Sequence, residues 1–111
     1  MGGYPFCNQT VTLYSCREGK LCRQVVDDAY LSMEEGVSRQ GAPERNFLLI
    51  LPGPKVRVGV GDRVLPGIGP NHVDWETFLP THIPNLVEVG RTRHYRLDGK
   101  LCHVEAEQAW N

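Results

Sequence analysis

LVEVGRTRHYRL-DG-KLCHVEAE, residues 86–107, is the stretch whose reading decides the fold. Apolar and polar residues alternate on both sides of Asp98-Gly99, the two-residue pattern of half-buried strands. An Asp-Gly pair between two such runs marks a tight hairpin, because a type I′ turn needs positive φ at both central residues. The expected register sets Leu97 opposite Lys100, Tyr95 opposite Cys102 and His94 opposite His103.

Working outward from this hairpin, residues 10–16 (TVTLYSC) are rich in β-branched and aromatic residues and also alternate. Val11 and Leu13, with Ser15 next in line, share one side; Thr12, Tyr14 and Cys16 share the other. A charged turn around Gly19 leads to a second strand over 21–26, so that 10–26 reads as another hairpin. Asp27-Asp28 interrupts it. Residues 29–35 suit either a turn or two of helix or a strand continuing after a bulge, and Tyr30 and Leu31 favour the strand. Residues 36–46 read as an exposed loop. Residues 46–51 (NFLLIL) form a short apolar run ended by Pro52, which fits a strand buried on both faces.

Residues 52–85 differ in character. They hold six of the eight prolines and five glycines, which excludes a long helix and keeps any strand short. Residues 56–58 and 63–65 suit short strands around a turn at 59–62. Trp75, Phe78 and Leu79 have the spacing of one helical turn with its apolar side inward. A segment this long is more than a connection, and it reads as a functional excursion or lid. Residues 108–111 are a short tail, with Trp110 placed to dock on a neighbour. The expected architecture is mainly β: one domain over 1–111, a small β-barrel or sandwich with a long Pro/Gly-rich loop and at most one short helix. Its parts are N-terminal strands over 10–35, a strand over 46–51, the excursion over 52–85 and the hairpin over 86–107.

The bulk numbers agree with one compact domain. The chain has 111 residues, 41% of them hydrophobic and 23% charged, an ordinary globular balance. Twelve basic residues meet thirteen acidic ones, and residues 86–111 carry four of each sign. That balance excludes a basic arm for nucleic acid or membrane, though not a local patch. No apolar run approaches the ~20 residues that span a bilayer. The first six residues lack the charged and apolar regions of a signal peptide, so the cytoplasm is the expected compartment. Cys7, Cys16, Cys22 and Cys102 include no Cys-x-x-Cys pair, and reduced structural thiols are expected. Asn8-Gln9-Thr10 matches a glycosylation acceptor by chance, since a cytoplasmic chain does not meet that machinery.

Each constellation that could carry chemistry falls short. His94 and His103, opposite one another, would lie about 5 Å apart and could share a metal, but no third or fourth ligand can be named. Asp27-Asp28 and Glu34-Glu35 are neighbours whose side chains diverge in a strand, unlike the converging carboxylates of a glycosidase. Cys102 and His103 likewise point apart. The glycines at 59–61 and 67–69 neither open a helix nor continue as Gly-Lys-Ser/Thr, so they read as turns. Arg91, Arg93 and Arg96 with His94 form a locally basic strand that suits phosphates or the acidic residues of a neighbouring subunit. No enzyme activity and no cofactor are expected.

Beyond single motifs, the order of elements resembles the minor capsid or head–tail connector (stopper) subunits of tailed bacteriophages. The N-terminal strand at 11–14, the Val25-Val-Asp-Asp-Ala-Tyr30 strand and the apolar strand 47–51 ending at Pro52 follow that pattern. So do the Gly61-Asp-Arg-Val-Leu-Pro-Gly67 segment and the late strand leading through a turn to a histidine-containing last strand at 87–104. The resemblance covers residues 10–106; the Asp98-Gly99 turn is tighter than the pattern demands, and the cysteines lie outside it. It implies a small barrel from which a long loop projects. Such subunits form a twelvefold or sixfold ring in the virion neck, between portal or adaptor and tail, close to packaged DNA and away from membranes. It also implies contact or gating loops at 36–46 and 67–84, with Arg39, Arg45, His72, Trp75 and Phe78 as candidate contacts. The alternative is a small barrel that binds nucleic acid or peptide through Arg91, Arg93 and Arg96. A metal-dependent or thiol enzyme would need His94 or His103 to hold a metal.

Overall fold

The structure, a computed structural model, describes residues 7–37, 43–53 and 56–109. Seven strands build it: β1 (Gln9–Arg17), β2 (Lys20–Val37), β3 (Pro43–Pro52), β4 (Arg63–Pro66), β5 (Val87–Glu88), β6 (Arg91–Leu97) and β7 (Lys100–Glu107). There is no helix among the described residues. All strand pairs are antiparallel, in the order β5-β4-β1-β2-β3-β7-β6. The sheet curls into a half-barrel, as the mainly β reading expects.

The two edge strands, β5 and β6, are consecutive in the chain. Only Val89 and Gly90 separate them, and both carry backbone hydrogen bonds to opposite ends of the sheet. Val89 N donates to Asp62 O (2.8 Å), extending the pairing with β4, and Gly90 N donates to Glu107 O (2.8 Å), extending the pairing with β7. The chain therefore draws the curl together at this junction.

Turn chemistry fixes both hairpins. Glu18 and Gly19 have φ of 53° and 78°, and Asp98 and Gly99 have 51° and 78°, the paired positive values of a type I′ turn. The first turn sets Arg17 opposite Lys20 and Val11 opposite Val26. One residue further on, the register shifts so that Gln9 pairs with Ala29. Asp27 and Asp28 lie at this bulge with their side chains exposed. β2 does not stop there. Its first half pairs with β1 and its second half, from Tyr30 to Val37, pairs with β3. The interruption read in the sequence is thus a bend in one long strand. Part of the loop expected at 36–46 is also strand: Gly36 and Val37 end β2, and 43–46 open β3, with Arg45 opposite Glu35. Arg39 lies outside the described residues.

The last hairpin holds a second bulge, which corrects the expected register. Leu97 does face Lys100, but the pairing shifts between Arg96 and Tyr95, leaving Cys102 as the extra residue of β7. Tyr95 therefore faces His103, and His94 faces Val104. A one-residue slip sends every later side chain to the other face, so the two histidines do not converge.

The main core gathers Val11, Leu13, Val26, Ala29, Phe47, Leu49, Leu51, Val64, Val87, Val89, Val104 and Ala106. Leu49 and Leu51 are fully buried, each contributing about 1.5–3 kcal/mol of transfer free energy. Val56 and Val58 are buried in the same core, although 56–58 is irregular chain and not the short strand expected. Thr12 and Tyr14, on the other side of β1, are buried as well. Residues 67–86 cover that side, and Tyr14, Phe78 and Leu86 form a second small core.

Candidate functional site

Three features stand out on this frame: the covered outer side of β1 and β4, the C-terminal hairpin, and a cavity at the turn end of β1–β2. The first is built by side chains that bind loop carbonyls. Thr12 Oγ1 donates to Gly67 O (2.7 Å) and accepts from Gly69 N (2.9 Å). Tyr14 Oη donates to Pro70 O (2.7 Å), and Arg23 donates to the carbonyls of Pro70 and Gly69 (3.0 and 2.6 Å). Further along, Arg63 Nη1 donates to Trp75 O (2.6 Å) and Phe78 O (2.7 Å), and its Nε reaches Glu88 Oε1 (3.2 Å). The same guanidinium lies 3.8 Å from the centre of the Trp75 ring. Tyr14 and Phe78 meet edge to face at 4.7 Å.

The expected helical turn is therefore a set of turns tied down from below. Phe78 N donates to Asp74 O (2.8 Å) and Ile83 N to Leu79 O (2.9 Å), one helical bond in each case with no helix following. Trp75 and Phe78, expected as contact residues, face the barrel: Phe78 is buried, and Trp75 is half-buried over Arg63. His72 does lie at the surface, and Ile68 is 76% exposed. The excursion presents its turns outward, while its aromatic side chains hold it in place.

The C-terminal hairpin carries the expected basic face. Arg91 and Arg93 are exposed and sit opposite Glu107 and Glu105. Arg91 Nε lies 3.3 Å and Arg93 Nη2 3.9 Å from Glu107 Oε1, an atom that is buried and has no hydrogen bond, only these ion pairs. A hydrogen bond with Tyr95, then the charge of Glu107, raises the pKa of Arg93. Two of the three arginines are thus matched by acids of β7. Arg96 is exposed and pairs with Leu101 in the ladder. Tyr95 stacks on His103 (4.5 Å, 11° between planes), and His103 Nε2 lies 3.2 Å from Glu105 Oε2. Tyr95 and Leu97 expose 39% and 68% of their surface. β6 also ends the sheet, so one edge of its backbone is open to another strand.

The cavity was not foreseen. It encloses about 430 Å³ and is bordered by Leu13, Ser15 and Arg17 of β1, by Arg23 of β2, and by Arg57 and Asp62 of the β3–β4 connection. Asp62 is 6% exposed. Its Oδ2 accepts from Gly59 N (2.8 Å) and lies 3.6 Å from Arg17 Nη2. Burial raises its pKa above 3.8 in spite of both contacts. The Arg17 side chain is 64% exposed, so water screens its charge while the carboxyl remains desolvated. The sign of the linkage follows. A raised folded-state pKa means stability fully present below the unfolded value and lost as pH rises through the folded one. Asp62→Asn keeps an acceptor for Gly59 N without the buried charge. In paired urea titrations the variant is expected to gain stability relative to the parent as pH rises above about 3.8; a constant difference would contradict this.

Among the described residues no cluster of three or more histidine, cysteine or acidic side chains could hold a metal ion. All four cysteines are described, and no disulfide joins them. Nor is any helix of the described residues long and apolar enough to cross a membrane. Comparison of the chain with protein-family models, with curated proteins and with solved structures finds no match.

Proposed function

We propose that the chain is a structural subunit of a bacteriophage head–tail connector: a stopper-like ring component that retains packaged DNA and docks the tail, with no catalytic role. It is made in the host cytoplasm and resides in the virion neck. Its partners are further copies of itself, in a twelvefold or sixfold ring, and the portal or adaptor and tail proteins. The order of elements over residues 10–106 supports this reading. The single observation that carries it is the open edge of β6 together with the tip of its hairpin. β3 pairs with β7 only from His103 to Glu107, so residues 96–101 extend beyond β3 with Leu97 exposed, and Tyr95 at the base of this tip is exposed too. Edge strands pair readily with other chains unless charge or cover prevents it, and a ring needs one such heterologous contact per subunit.

The alternative, a monomeric module that binds nucleic acid or peptide through Arg91, Arg93 and Arg96, is weakened by the pairing of Arg91 and Arg93 with Glu107.

The test is a pull-down of tail-less phage heads that display their portal. The native chain should co-sediment with them, and Leu97→Asp, which places a charge on the exposed tip without touching the core, should reduce co-sedimentation at least about tenfold if the tip is a contact worth 1.4 kcal/mol or more. Equal retention of both proteins would remove the hairpin tip from the interface, and failure of the native chain to bind would remove the connector reading.

A further inference from the structure

We propose that β6 pairs with β6 of a second copy, antiparallel and centred on His94, so that the free chain forms a two-fold dimer. The pairing uses the edge named in the connector reading, but it concerns the free chain and does not rest on that reading. β6 has seven residues and one hydrogen-bonded neighbour, β7. The other edge strand, β5, has two residues, and its Val87 is buried. Only the β6 edge is long enough to take a strand of its own length.

The side chains of β6 complement themselves. The extra residue of the bulge lies on β7, so β6 alternates without a break. Thr92 and His94 stand opposite Ala106 and Val104, which belong to the core; with Arg96 they lie on the inner face, and Arg91, Arg93, Tyr95 and Leu97 lie on the outer one. In a two-fold pair directly opposed residues must share a face. With the axis at His94 all seven residues pair: His94 meets its own copy, Arg93 meets Tyr95, Arg91 meets Leu97 and Arg96 meets Thr92. No arginine faces an arginine. An axis at Arg93 or Arg96 sets an arginine against its own copy, which is destabilising, and an axis at Tyr95 leaves Arg91 and Thr92 beyond the end of the second β6.

Charge, which commonly guards an edge strand, is largely met within each copy, because Arg91 and Arg93 lie 3.3 and 3.9 Å from Glu107 Oε1. Tyr95 supplies attraction. Its ring stacks on that of His103, its neighbour across the ladder on β7, at 4.5 Å with 11° between the planes. The second face of the ring is therefore turned to the open edge. In the His94-centred register that face receives the Arg93 guanidinium of the second copy as a cation–π contact, and the two-fold axis repeats it. The pairing closes the edge of the free chain until another partner displaces it.

The test is cross-linking at the axis, in the full chain with the exposed Cys22 and Cys102 replaced by serine. Directly opposed Cα atoms of an antiparallel pair lie about 4.5–5.5 Å apart, within reach of a disulfide. His94→Cys, at an exposed position, should give a disulfide-linked dimer with oxidised glutathione. Thr92→Cys and Arg96→Cys should each fail to cross-link alone, since like positions then lie more than about 13 Å apart, and should cross-link when mixed. By sedimentation equilibrium the native chain should exchange between monomer and dimer with a Kd between about 1 µM and 1 mM, the weak range of a small contact. Leu97→Asp places a carboxylate opposite Arg91 of the second copy, so its Kd should stay the same or fall, although the same change is expected to weaken co-sedimentation with phage heads. Those opposite responses separate a failure of the dimer from a failure of the connector reading. A native chain that stays monomeric to about 1 mM, or Thr92→Cys cross-linking alone as readily as His94→Cys, would overturn the proposal.

Discussion

Arg63→Ala is expected to lower the unfolding free energy by about 3–5 kcal/mol, the cost of removing one partner from a buried charged network. Arg63 is 8% exposed, and its guanidinium binds the carbonyls of Trp75 and Phe78 at 2.6 and 2.7 Å. Removing it leaves two inward carbonyls without a donor and takes the cation from the face of Trp75. The ion pair with Glu88 is the smaller part of the loss, because that carboxylate side chain is 48% exposed and water screens it. The damage should be local before it is global. Amides of Phe78 and Ile83, bonded to Asp74 and Leu79, should lose hydrogen-exchange protection, while those of the β1–β2 ladder keep theirs. Arg63→Lys retains the charge but not the fork, so its loss should fall between parent and alanine. If alanine cost under about 1 kcal/mol, in the range of an exposed ion pair, Arg63 would not be the clamp that holds 67–86 on the barrel.

The second large effect is expected at the junction of β5 and β6. A Cβ built on Gly90 would overlap the backbone N and Cα of Ala109, and no side-chain rotation relieves a backbone contact. Gly90→Val must therefore displace the chain after β7 or bend the junction, and either movement breaks the bond from Gly90 N to Glu107 O. Overpacking of this kind costs about 1–3 kcal/mol, and here a backbone hydrogen bond of about 1 kcal/mol is lost with it. The valine protein should melt at least about 8 °C lower, since each kcal/mol shifts the midpoint by about 4–8 °C in a domain of this size. Its exchange protection should fail first at 104–107 and 87–89, where the curl is drawn together. Unchanged melting would show that Ala109 does not press on this junction.

These two residues also mark the limit of what the sequence discloses. Both hairpins were legible because Asp98-Gly99 and the turn at Gly19 use chemistry that only a few backbone conformations accept. The strand at 46–51 was legible from its unbroken apolar run. The bulge at Cys102 was not, since no residue type there demands it, and it alone parts His94 from His103. Nor did Asp27-Asp28 disclose that β2 continues, because exposed carboxylates suit a bulge as well as a chain break. Trp75 and Phe78 looked available while 52–85 was pictured as projecting. Their partners are the guanidinium of Arg63 and the ring of Tyr14, and the bonds that fix the loop end on backbone carbonyls, which leave no mark on residue identity. The cavity residues Arg17, Arg57 and Asp62 lie on β1 and on the β3–β4 connection and meet only once the two are folded together.

The central claim is that this barrel works as one unit of a ring at the portal vertex. It is tested most directly by determining the mass of the purified chain and imaging it by electron microscopy, alone and mixed with portal-bearing, tail-less heads. The account predicts closed rings in solution or density added at the single portal vertex. A chain that stays monomeric at every concentration and leaves that vertex bare would contradict it.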